Sequence, residues 1–80
     1  MFGSNIFIYA IEVSKAEKVI GFVDVTGMNY NDNVSSVKFF GSREEAEKEA
    51  VWLRCLATPN SNWYGLTLQV VEFSLVRKKS

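Results

Sequence analysis

The sequence predicts a single small α+β domain of the order β-β-β-α-β: a four-stranded, mostly antiparallel sheet in spatial order 3-2-1-4, with one helix packed on one face. Three observations predict it. One capped stretch at 42–57 has helical periodicity, four other runs carry strand patterning, and 80 residues are enough for one core and no more. With 48% hydrophobic and 14% aromatic residues and a single proline, the chain is composed to pack. Looseness is expected only at residues 1–5 and in the basic tail 77–80.

Residues 6–13 (IFIYAIEV) read as the first strand. Phe7, Tyr9, Ile11 and Val13 form one apolar face, while Ile6, Ile8 and Ala10 make the other face apolar too. A strand apolar on both faces belongs in the middle of the sheet. The polar run 14–18 (SKAEK) is short enough for a hairpin. Residues 19–26 (VIGFVDVT) return as the second strand, in which Gly21 marks a bulge or a close backbone approach. The stretch 27–33 (GMNYNDN) is rich in turn-forming residues and predicts a loop. Residues 34–40 (VSSVKFF) predict a third strand whose Ser36 and Lys38 suit an edge that resists further pairing.

The helix is expected over 42–57 (SREEAEKEAVWLRCLA). Ser42 can accept from a first-turn amide while Glu45, three residues on, reaches back to the amide of Ser42. Glu44, Glu45 and Glu47 sit where the helix dipole favours negative charge. Ala46, Ala50, Leu53 and Ala57 recur at spacings that form one stripe, and small alanines allow close approach to a sheet. Trp52 and Leu56 extend one flank, which Glu49 interrupts, whereas Val51 and Cys55 fall on the solvent side. Pro59 ends the helix. Residues 66–76 (LTLQVVEFSLV) form the fourth strand, and the apolar phase switches at Val70-Val71, predicting a bulge or partial burial of both faces. A meander followed by a crossover helix would lay this strand beside the first and parallel to it.

Charge and cysteine usage exclude more than they identify. Nine basic residues balance nine acidic ones, but Arg77, Lys78 and Lys79 stand together at the C-terminus, leaving a body of about −3. General polyanion binding is disfavoured, and any attraction to nucleic acid or anionic lipid would come from the tail. Cys55 is the only cysteine, so no internal disulfide can form. No leader-like or membrane-spanning run is read, and a cytoplasmic location is expected. The sequon Asn33-Val34-Ser35 is attributed to chance.

Chemistry is thinly represented. Histidine is absent, so Cys55 has no imidazole to activate it, and a site near the helix C-terminus does not favour a thiolate. The glutamates of the helix alternate with Arg43 and Lys48 as on an ordinary solvated face. Asn29, Asn31, Asp32 and Asn33 offer one carboxylate among them, too little for calcium, and their spacing is not that of a calcium loop. No metal, cofactor or enzymatic activity is expected.

Recognition is the better-supported class. Trp63 and Tyr64 lie in a loop of Asn, Ser and Gly, placed either as exposed anchors or as a cap on the open end of the core. One helix covers only one sheet face, which leaves apolar sheet surface free. In size and architecture the chain resembles the small phage-encoded accessory proteins that bind and neutralise a host defence or toxin component, which implies an inhibitory or regulatory protein-binding module. Its expected contacts are Trp63, Tyr64, Val51, Cys55 and Glu49, with an edge strand open to β-augmentation by a larger protein partner. The alternatives are a nucleic-acid binder, using Tyr9, Phe22 and Phe40 to stack bases and Arg77, Lys78 and Lys79 to meet phosphates, and a homodimeric structural subunit.

Overall fold

A computed structural model of the chain describes residues 5–76. Strands β1 (Asn5–Lys15), β2 (Lys18–Val23), β3 (Tyr30–Asn31) and β4 (Thr67–Val76) and helix α1 (Arg43–Cys55) form a four-stranded sheet in the order β3-β2-β1-β4 with the helix on one face. The residues N-terminal to Asn5 and the tail Arg77, Lys78 and Lys79 lie outside the described residues.

β1 is central, as its two apolar faces predict. It is joined to β2 by a two-residue turn at Ala16 and Glu17, whose φ values of 52° and 66° are those of the tight hairpin turn that matches strand twist. The β1–β2 register slips beside this hairpin: Val13 faces Gly21 but Ser14 faces Val19, so Ile20 is the extra residue of a bulge and packs against the core. Both expectations for Gly21 hold. A Cβ there would sit 2.6 Å from the carbonyl oxygen of Asn31, so β3 can lie alongside only because the side chain is missing.

The third strand lies earlier than the sequence predicts. The pairing with β2 is made by Tyr30 and Asn31, inside the expected loop, while Val34–Ser36 form a short 3-10 turn. Local side chains outcompete the strand: Asn33 Oδ1 accepts from Ser35 N at 3.1 Å and from Ser35 Oγ at 2.8 Å. Val37 and Phe40 then make isolated bridges, to Asp24 and Tyr9.

This detour reverses the direction expected for β4. Phe40 exchanges two backbone hydrogen bonds with Tyr9 (3.0 and 2.7 Å), which returns the chain to the middle of β1 immediately before the helix begins. The helix therefore climbs toward the Ser14 end, and β4 starts there, with Thr67 facing Ser14, and runs back to Val76 facing Asn5. β4 is antiparallel to β1, not parallel, and the sheet is antiparallel throughout.

Ser42 caps the helix as its sequence predicts, accepting from Glu45 N at 3.2 Å. Glu45 answers through its carboxylate to the Ser42 hydroxyl (3.2 Å) instead of the Ser42 amide. Ala46, Ala50 and Leu53 are fully buried, and the core they close includes Ile11, Val13, Val23, Trp63, Leu68 and Val70, with Ala57 packed at its edge. The phase switch in β4 is not a bulge, because its register with β1 is unbroken. Leu68 and Val70 serve the helix side, and Val71 and Phe73 the opposite face.

Candidate functional site

The helix-free face of the sheet carries a cluster of phenylalanines. Phe73 on β4 faces Ile8 of β1, and Phe22 on β2 faces Glu12. Their rings lie 6.1 Å apart and tilted, spanning the small Ala10, which is fully buried although no helix covers it. Phe39 adds an edge-on contact to Phe73 at 6.3 Å. Phe39 remains 43% exposed and Phe73 38%, and Ile6, at 53%, extends the apolar surface along β1. Three aromatic rings held by one another on a sheet face form a preordered surface rather than a scatter of exposed side chains.

The residues singled out from the sequence do not all gather here. Phe22 does. Tyr9 and Phe40 lie on the other side, packed against the core cluster, so the three do not form one stacking platform. Tyr9 donates its phenol to Glu72 Oε2 (3.1 Å), and the guanidinium of Arg43 lies 5.3 Å from its ring. Desolvation, joined by the hydrogen bond and negative charge of Glu72, raises the phenol above its ordinary pKa of 10.0, against a smaller lowering by Arg43.

The loop aromatics divide. Trp63 is buried, its ring 6.0 Å from that of Tyr30 and its amide held by Ser61 Oγ at 2.9 Å. It closes the end of the core and offers no surface to a partner. Tyr64 is 59% exposed. Val51 and Cys55 lie exposed on the outer helix surface as their phase predicts. Glu49 is engaged: Lys38 Nζ reaches its Oε2 at 3.4 Å while lying 5.3 Å from the Phe40 ring. The asparagine loop is engaged as well, since Asn29 Oδ1 accepts from Tyr30 N and Asn31 Oδ1 from Asn33 N, both at 2.9 Å.

Phe39 and Phe73 were not among the residues the sequence marked, though each had a signal. In the extended segment 37–40, adjacent Phe39 and Phe40 must take opposite faces, and only one of them can join the core. Past the switch at Val71, every second residue of β4 faces away from the helix, which places Phe73.

Among the described residues no three acidic or cysteine side chains cluster as metal ligands, and no helix is long and apolar enough to cross a membrane. What this surface offers is shape, apolar area and aromatic edges. Compared with known proteins, the chain matches no family model, no curated protein and no solved structure.

Proposed function

We propose that this chain is a non-enzymatic protein-binding module that docks the helix-free face of its sheet on a larger partner, in an inhibitory or regulatory role of the phage accessory type. The observation that carries the reading is the cluster of Phe22, Phe39 and Phe73, aromatic and half exposed on a rigid sheet. Aromatic side chains lose little conformational freedom on docking and dominate the energy of many interfaces. Steric occupation of a partner needs no chemistry, which suits a chain without histidine. Cytoplasmic residence is part of the proposal and is supported by Cys55, an exposed free thiol that a reducing compartment would preserve.

The test is affinity capture from cell extract with the wild-type chain and a Phe39→Ser, Phe73→Ser double variant, each with and without nuclease. Folding of the variant is checked by circular dichroism. One defined protein, retained after nuclease and lost from the folded variant, is the expected result. Recovery that nuclease abolishes would overturn the reading in favour of nucleic acid, and equal capture by the variant would remove the face from the site.

A further inference from the structure

Among the described residues, the outer edge of β4 is unpartnered along most of its length. In an antiparallel ladder alternate residues direct their backbone groups to opposite sides. Tyr9 exchanges its backbone bonds with Phe40, away from β4, so the even residues of β1 bond β4, and Ile8–Phe73, Ala10–Val71 and Glu12–Gln69 are the bonded pairs. The amides and carbonyls of Leu68, Val70, Glu72 and Ser74 therefore point out of the sheet. Among the described residues one of these groups has a partner: Leu68 O accepts from Arg54 Nη2 at 2.6 Å.

We propose that this edge joins two copies of the chain in a two-fold dimer, β4 pairing antiparallel with β4 of the second copy and Val70 lying opposite Val70. Charge selects the register. With Val70 at the dyad, Glu72 of one copy lies opposite Leu68 of the other, where the Arg54 guanidinium already rests. The Glu72 side chain is on the helix side of the sheet, since it accepts from the Tyr9 phenol, and Arg54 reaches the edge from the helix. The carboxylate of one copy thus meets the guanidinium of the other, and symmetry makes the pair twice.

Registers centred on residues 71, 72 or 73 instead bring the two Glu72 side chains opposite or diagonal to each other, where like charges repel. In the selected register residues 67–73 of each strand pair, and Leu68 O exchanges the Arg54 donor for the Glu72 amide of the second copy. Until that exchange, Arg54 shields the edge from strands lacking a carboxylate at this position. The dyad is perpendicular to the sheet, so both helices share one side and the two phenylalanine clusters share the other. The dimer does not depend on the docking role and leaves that face free.

Sedimentation equilibrium tests the pairing with wild type, Arg54→Glu, Glu72→Arg and the double reversal, all shown to be folded by circular dichroism. Wild type is expected at twice the chain mass. Each single reversal should weaken the dimer on the order of tenfold to a hundredfold, and the double reversal should restore it. Glu72 is exposed, so Glu72→Arg keeps the test decisive if Arg54→Glu does not fold. Wild-type dimerisation should also weaken with salt. A monomeric wild type, a dimer indifferent to both reversals, or a folded double variant that stays monomeric each overturns the proposal. Phe39→Ser should leave the dimer intact, so loss of partner capture in that variant reports on the docking role alone.

Discussion

The two halves of the β1–β4 ladder are continuous in register and similar in composition, yet opposite in fate. In the half that runs from Ala10–Val71 to Ser14–Thr67, Ile11 and Val13 are fully buried and Leu68 and Val70 nearly so. In the half that runs from Asn5–Val76 to Tyr9–Glu72, Phe7, on the same face as Ile11 and Val13, is exposed. Length explains the difference. A helix of 13 residues spans about 20 Å, whereas a strand of 11 residues spans about 37 Å. An apolar strand is buried by what lies over it, and this helix covers about half. The uncovered half remains available for interaction.

The sharpest version of that contrast is at two adjacent aromatics. Trp63→Ala should lower the unfolding free energy by about 3–5 kcal/mol, because it empties the end of the core and strips the Tyr30 ring of its partner. Tyr64→Ala, beside it but exposed, should cost within about 0.5 kcal/mol. Urea denaturation followed by circular dichroism measures both, and equal losses would mean that Tyr64 too is part of the core. For a domain of this size the first loss is a large fraction of the total.

Across the ladder itself the expected gap is almost as wide. Leu53→Ala, under the helix, should cost about 2–5 kcal/mol, and Phe7→Ala, on the same side but beyond the helix, within about 0.5 kcal/mol. Comparable shifts in the urea midpoint for the two variants would break the contrast, showing that something in solution covers the Phe7 end, a second copy being the candidate.

What was legible in the sequence follows the same physics. The helix was legible because Ser42, Glu45 and the Ala46-Ala50-Leu53 stripe are local signals that tertiary contacts did not have to create. Central placement of β1 followed from its two apolar faces, and the strand order followed from that. The third strand was misplaced because Val34 to Phe40 has strand composition while Asn33 and Ser35 bond locally, and a three-residue turn is decided by those bonds. The direction of β4 could not be read, because it hangs on one bridge, Tyr9 with Phe40. Trp63 was ambiguous for a related reason: burial in a loop depends on the distant Tyr30, and no local periodicity reports it.

Where the covered half begins is set by the helix start. Ser42→Ala removes the acceptor for the Glu45 amide and should cost about 1 kcal/mol, read as a lower melting temperature. Faster amide exchange confined to the first turn would accompany it, and a loss without that signature would mean that Ser42 acts through packing instead of capping.

The smallest effect sits on the boundary between the two halves, at the Tyr9–Glu72 pair. Tyr9 is held by Glu72, and its phenol is raised above 10.0 by desolvation first and by the hydrogen bond and charge of Glu72 second. The folded chain therefore favours the protonated phenol. Its contribution to stability is intact below the ordinary pKa of tyrosine, because the phenol is then neutral in both states. It is lost as pH rises through the higher folded value, since the unfolded chain releases the proton first. A spectrophotometric titration, taken as the difference between wild type and Tyr9→Phe, should place this phenolate above the ordinary value, and Glu72→Gln should bring it down. If Glu72→Gln left the titration unmoved, desolvation alone would hold the shift, and the Tyr9 end of the ladder would be more enclosed than the isolated chain makes it. That enclosure is what a second copy seated on the β4 edge beside Glu72 would supply.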